Sequence, residues 1–244
     1  MAPLSAQEIL GLWEAGGAQS PVGRALAILA AASPGVPGEA LAALPVGRRD
    51  ARLLEIREET FGPILDGFSL CPRCAERVEF TLKIADLHAR VGPDAEPAEG
   101  EVRLGDWRLR YRLPTSGDLA AAGGWGDPDA ARLVLAGRCI LEARRGGVPV
   151  EAGDVPPEAI SRMAAAMAEQ DPSAEMLLDF ICPACGHAGQ TLFDIAGYLW
   201  EEIRAQAQRL LHEVHVLARA YGWREADILA LSAARRRAYL EMAT

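Results

Sequence analysis

The chain has 244 residues, 50% of them hydrophobic and 24% charged, which is enough to bury one large core or two smaller ones. Its formal net charge of −9 argues against nucleic acid or an anionic membrane surface as a partner of the whole fold. No apolar run approaches the roughly 18 residues of a membrane span, and the opening Met1-Ala2-Pro3-Leu4 lacks the basic start of a secretory signal; a soluble, cytoplasmic protein is expected.

Ser5-Ala6-Gln7-Glu8 has the form of a capping box, so a short helix is predicted to start there and to stop at Gly16-Gly17. Pro21 opens a second helix with Leu26, Ile28 and Leu29 on its apolar side, and residues 33–38 form a Pro/Gly-rich break. From Leu41 to Arg57 the pattern is helical, with Leu53, Leu54 and Ile56 on one face and arginines spaced to pair with Glu55, Glu58 and Glu59. Gly62-Pro63 ends it.

Cys71-Pro72-Arg73-Cys74 follows. After it, Val78, Phe80, Leu82 and Ile84 alternate with polar residues, the period of a half-buried strand. Residues 92–100 form a polar loop, and residues 102–113 alternate about Gly105-Asp106 as a hairpin. Residues 116–129 are Gly/Ala/Asp-rich and are predicted to be a surface loop; residues 129–145 are predicted to be a helix ending at Gly146-Gly147. Pro156-Pro157 opens a helix running to about Gln170. Met176 to Ile181 leads into Cys182-Pro183-Ala184-Cys185, and residues 190–193 leave it. A long amphipathic helix from Asp194 to Ala220 breaks at Gly222, and two short helices close the chain. Trp13, Tyr198, Trp200, Tyr221 and Trp223 are assigned to the core.

The two cysteine pairs carry the strongest chemical signal. Each cysteine of the second pair lies 111 positions after its counterpart, and both units read apolar strand, cysteine turn, apolar strand. Two Cys-x-x-Cys turns supply the four thiolates of a closed tetrahedral zinc shell. Cys71, Cys74, Cys182 and Cys185 are therefore the expected ligands of a structural zinc, with His187 as an alternative to one of them. A thioredoxin-like dithiol needs a helix starting at the first cysteine, whereas a strand-like stretch follows each pair here. Cys139 lies in an apolar run and is assigned to the core.

No catalytic constellation appears. His212 and His215 are three apart on the long helix and lack the spacing of a zincin motif. There is no phosphate loop and no nucleophile elbow. The basic clusters Arg48-Arg49, Arg144-Arg145 and Arg235-Arg236-Arg237 are read as helix-terminal cations near final carbonyls. A weaker echo sets Leu44 to Arg49 against Leu231 to Arg236: in each, Leu precedes a helix opening and Arg-Arg.

The fold class is therefore α+β, mostly helical, with a small antiparallel zinc-ribbon-like module built from the two knuckles. The expected organisation is a helical region at 1–67, a first knuckle and hairpin at 68–115, a loop and helices at 116–170, a second knuckle at 171–193 that pairs with the first, and a helical region at 194–244.

The run from His212 through Tyr221-Gly222-Trp223 to Arg235-Arg236 and Tyr239-Leu240 resembles a known family. So do Gly47-Arg48-Arg49-Asp50-Ala51-Arg52-Leu53-Leu54, Thr60-Phe61-Gly62 and Cys71-Pro72-Arg73-Cys74. The texture is similar to that of the T-even phage baseplate hub assembly chaperones, which also occur in phage-tail-like contractile injection systems. The resemblance implies a non-enzymatic assembly factor or minor structural component of a contractile baseplate, with hub or spike proteins as partners. It makes Arg48, Arg49, Tyr221, Trp223, Arg235 and Arg236 candidate partner contacts. The family is not defined by four cysteines, so the metal site is a departure from it. The alternative is a zinc-ribbon adaptor for nucleic acid or transcription machinery.

Overall fold

A computed structural model describes residues 2–88, 99–124 and 126–243. Helix α1 (Ala6–Gly16) opens with the expected capping box: Glu8 N–H donates to Ser5 Oγ, and Ser5 N–H donates to the Glu8 carboxylate. Helix α2 (Pro21–Ala32) has Pro at its first position and Ser20 as its cap. The stretch expected to be one helix from Leu41 is divided into α3 (Gly38–Ala42) and α4 (Val46–Phe61). Pro45 explains the division, since it lacks an N–H and disfavours helical backbone at the residue before it.

Strands β1 (Ile64–Leu70) and β2 (Arg77–Lys83) form an antiparallel hairpin around the first cysteine turn. Ile84, expected to continue the strand, instead starts α5 (Ile84–His88). Most of the predicted polar loop at 92–100 lies outside the described residues. Strands β3 (Glu99–Leu104) and β4 (Trp107–Arg112) form the expected second hairpin.

Two sequence expectations fail next. Residues 116–122 are not part of a surface loop: α6 (Ser116–Ala122) is helical, and Ser116 and Asp118 are 0% and 1% exposed, while Gly123, Gly124, Gly126 and Asp127 are exposed and outside any helix. Its capping box pairs Thr115 with Asp118 in the place usually held by Glu or Gln. The helix expected over 129–145 stops early. Helix α7 (Pro128–Cys139) gives way to strand β5 (Ile140–Arg145), which pairs with β4 and then with β6 (Val148–Val150). Six residues that mix apolar and charged side chains are ambiguous alone; the open edge of β4 decides it.

Helix α8 (Pro157–Gln170) packs on the sheet β3-β4-β5-β6, and a 3-10 turn at Pro172–Ala174 leads to the second cysteine hairpin, β7 (Leu177–Ile181) and β8 (Ala188–Leu192). Helix α9 (Ile195–Tyr221) is capped by Asp194, which accepts from Gly197 N–H, and it ends at Gly222, whose φ of 69° is left-handed. Helices α10 (Glu225–Leu229) and α11 (Ala233–Ala243) complete the chain.

Two main cores result. In the first, α1, α2 and α4 pack around α9 with Leu199, Ile203, Ala207, Leu210 and Leu217 along one stripe. Burying each such leucine or isoleucine contributes about 2 kcal/mol. In the second, Val102, Leu109, Tyr111 and Ala143 of the sheet pack against Ala159 and Met163 of α8. The first core takes in the bases of both cysteine hairpins through Leu65, Ile84, Met176, Leu178, Phe193 and Ile195. Both knuckles thus stand on one helical platform. Of the aromatic residues assigned to the core, Trp200 is buried, Trp13 and Tyr198 pack at its edge, and Tyr221 is exposed.

Candidate metal centre

The cysteines reach their positions because each knuckle closes a tight turn on itself. Cys71 N–H donates to the Glu76 carbonyl at 2.8 Å, and Ala75 N–H donates to the Cys71 carbonyl at 2.8 Å. The second knuckle repeats this: Cys182 N–H to His187 at 2.9 Å, and Gly186 N–H to Cys182 at 3.0 Å. Every one of these residues lies 111 positions from its counterpart. Both turns need left-handed backbone after the second cysteine, with φ of 59° at Ala75 and 68° at Gly186. Among the described residues Ala75 is the only non-glycine with positive φ. Glycine adopts that conformation freely, whereas alanine is strained there.

The hairpins bring all four Sγ atoms within 4.8 Å of one another. Cys71 and Cys185 are 3.7 Å apart, and Cys74 and Cys182 are 3.6 Å apart, so the close contacts run between knuckles. A disulfide would need about 2.05 Å. Sulfurs bound about 2.3 Å from a central ion at tetrahedral corners lie about 3.8 Å apart, and the observed spacing fits that figure. Cys71 and Cys182 are buried with Val78 in a small apolar cluster, while Cys74 is exposed and Cys185 half-buried. Ser69 Oγ donates to Thr191 Oγ1 at 3.1 Å, a second tie between the two hairpins.

The thiols divide a charge unequally. At Cys71, burial pushes the thiol up, but the N–H groups of Arg73 and Cys74 and the thiols of Cys74 and Cys182 outweigh it and bring it down to about 7. At Cys74 the Glu76 N–H acts to lower the value, yet the Cys185 thiol, burial and the other two thiols push it up to about 12. Four adjacent sulfurs resist holding four negative charges by themselves, and a bound cation removes that resistance. The cluster is a site that can bind a metal ion through four sulfurs. His187 contributes its carbonyl to the knuckle and sets its ring edge-on to Phe180, at a centroid distance of 6.2 Å.

The remaining candidate residues fall in two groups. The basic pairs are not at helix C-termini: Arg48-Arg49 and Arg235-Arg236 occupy the first turns of α4 and α11, and Arg144-Arg145 ends a strand. The second arginine of each helical pair turns inward. Arg49 is 6% exposed and donates to Asp50 at 2.7 Å; Arg236 is 5% exposed and donates to Glu213 at 2.8 Å and to the Leu231 carbonyl. Both guanidinium groups are thus engaged within the chain. Arg48 is half-buried, and Arg235 is exposed. Tyr221 and Trp223 stack at 4.8 Å, with Tyr239 edge-on to Trp223 at 4.8 Å. His212 and His215 are both exposed on α9.

Sequence reasoning missed two polar groups that fix the fold. Asp171 accepts from Gly47 N–H at 3.0 Å and so caps α4 from a distant part of the chain. A Cβ at Gly47 would lie 1.8 Å from its carboxylate, which explains the glycine. Asp118 receives Arg112 through both oxygens, Arg138 at 2.9 Å, and Thr115 N–H at 2.9 Å. Burial pushes its carboxyl up, but Arg112, Thr115 and Arg138 outweigh this and hold it well below the usual carboxylate range.

Comparison with known proteins gives one result. The family described as T4 bacteriophage base plate protein matches residues 27–200, more than half of the chain, and the chain belongs to that family. No curated protein and no solved structure matches it. Among the described residues no helix is long and apolar enough to cross a membrane.

Proposed function

From membership of the base plate family we propose that this chain is a non-enzymatic assembly factor of a contractile tail or injection-system baseplate, of the hub-chaperone kind, or a minor structural component of it. The observation that carries this reading is the family match over residues 27–200, which spans both knuckles, the four-stranded sheet, α4 and the start of α9. The four-cysteine cluster would hold a structural zinc. A closed Cys₄ shell has no open coordination position, so it supplies rigidity and no chemistry. Its donor set and sulfur spacing favour zinc over hard cations, which prefer oxygen. The zinc would clamp β1-β2 to β7-β8 above the platform.

The partner surface in this reading is the outer side of the C-terminal helices, with Tyr221, Trp223 and Arg235, together with Arg48 at the head of α4. Aromatic and arginine side chains presented together are the usual anchors of a protein interface. Hub or spike proteins are the proposed partners.

Co-expression of the tagged chain with the hub and spike proteins of its own tail cluster tests the reading. Specific recovery of one of them is expected, and it should be lost in a Tyr221→Ala, Trp223→Ala double variant that keeps its thermal stability. Recovery of neither protein would overturn it. Elemental analysis should find about one zinc per purified chain.

A further inference from the structure

The outer face of the four-stranded sheet carries one row of like charges that folding does not reward. Strands β3 to β6 contain six arginines and three glutamates, in a chain whose acids outnumber its bases by 34 to 25. The strand register sets Arg103 opposite Arg108, and Arg108 opposite Arg144. Residues directly opposite share a face, so three arginines stand in one row at the strand spacing of about 4.8 Å. Like charges so placed destabilise a sheet. The three side chains are 72%, 52% and 41% exposed.

Neighbouring glutamates orient the row without balancing it. Glu101 accepts from Arg103 at 3.0 Å and lies 2.6 Å from Arg108; Glu142 lies 2.6 Å from Arg144 and 3.9 Å from Arg110. Glu99 also accepts from Arg110 at 3.2 Å, so three carboxylates serve four guanidinium groups, each with five N–H donors. The pairs preset the guanidinium planes, and the donors left over suit further carboxylates in the two-point geometry arginine favours.

We propose that this face, centred on Arg103, Arg108 and Arg144, docks an acidic segment of a partner protein. The rings of the sheet, Trp107 and Tyr111, pack on its inner side against the α8 core, so the face offers no platform for stacking bases. The glutamates set among the arginines would repel a continuous phosphate backbone, whereas a protein segment can place its carboxylates between them. This surface is separate from the cysteine cluster and from the C-terminal helices, and it goes beyond the function proposed above.

The test is calorimetric titration of the full chain with an octaglutamate peptide and, separately, with a single-stranded oligothymidylate, at low and high salt. Octaglutamate should bind at low salt and weaken as salt rises. An Arg103→Thr, Arg108→Thr, Arg144→Thr variant should lose about tenfold or more in affinity, the loss of at least one charge-assisted pair. Should that variant fail to fold, Arg103→Glu, at the most exposed of the three positions, should weaken binding in the same direction. Absence of octaglutamate binding, equal binding by the variants, or tighter binding of the oligothymidylate would overturn the proposal.

Discussion

Residues 71–76 and 182–187 hold the same two backbone hydrogen bonds, yet the left-handed residue both turns require is Ala75 in one and Gly186 in the other. Their settings differ too. The first turn joins strands of seven residues and leads into the short α5; the second joins strands of five and leads directly into the 27-residue α9. The first knuckle therefore has more sheet to absorb a strained turn, and the second has a relaxed turn anchored by a long helix. The same backbone hydrogen bonds are reached with local strain on one side and without it on the other, which teaches that the four-sulfur arrangement constrains the turn more strongly than the turn residue does.

The largest effect should come from breaking the shell itself. Cys71→Ser and Cys182→Ser should each abolish tight metal binding and lower the unfolding temperature by similar amounts, because a structural four-thiolate zinc carries on the order of 10 kcal/mol of binding free energy. Metal content and calorimetry check this; a loss confined to one of the two variants would break the equivalence of the knuckles. Chelation of the wild-type chain should reproduce both.

A smaller but still large effect is expected outside the knuckles. Asp118→Asn should cost about 3 kcal/mol at neutral pH by stranding Arg112 and weakening Arg138. The sign of the acid dependence follows from its lowered pKa. The unfolded chain takes up the proton near the ordinary value of about 4, and the folded chain does so only in stronger acid. The Asp118 contribution is thus full above about pH 4 and is lost as pH falls toward the folded value. Denaturant melts at several pH values should show this limb flattened in the variant, while its metal content at neutral pH stays that of the wild type.

The sharpest test of the comparison is a swap. Gly186→Ala should destabilise by about 1 kcal/mol, and Ala75→Gly should stabilise by about half as much, since relief of left-handed strain is partly offset by the extra freedom of glycine in the unfolded chain. Urea midpoints with unchanged slopes would report both. Equal and like-signed effects would mean that the turn residue is irrelevant. Last, Ser69→Ala removes the hydroxyl tie to Thr191 and should cost about 0.5–1 kcal/mol in thermal melts.

Much of this was legible because the informative signals are local. The Ser5 box, Pro21, the Asp194 cap and Gly222 each act within one turn of their own helix. The two Cys-x-x-Cys turns declared a shared site through spacing and the 111-residue echo. What stayed hidden depends on distant partners. Residues 140–145 become a strand because β4 has an open edge, and Asp171 caps a helix through Gly47, 124 residues earlier in the chain. The inward turn of Arg49 and Arg236 follows from Asp50 and Glu213, and a basic dipeptide alone carries no sign of direction. A trace of it was available: the two helices begin 187 positions apart, as the weak echo in sequence implied. The Thr115–Asp118 cap was readable in principle, had Asp been allowed in the place of Glu.

The sulfur cluster also sets where length can change. It pins Cys74 to Cys182, and the whole β3–β6 sheet with α6, α7 and α8 hangs in the span of chain between them. Closing a loop costs entropy only logarithmically in its length, about 0.6 kcal/mol for each doubling. In the proposed reading a metal ties this neck, which makes the enclosed unit tolerant of insertion and exchange. A baseplate component built so could change the sheet it presents while keeping the same helical platform and the same four sulfurs.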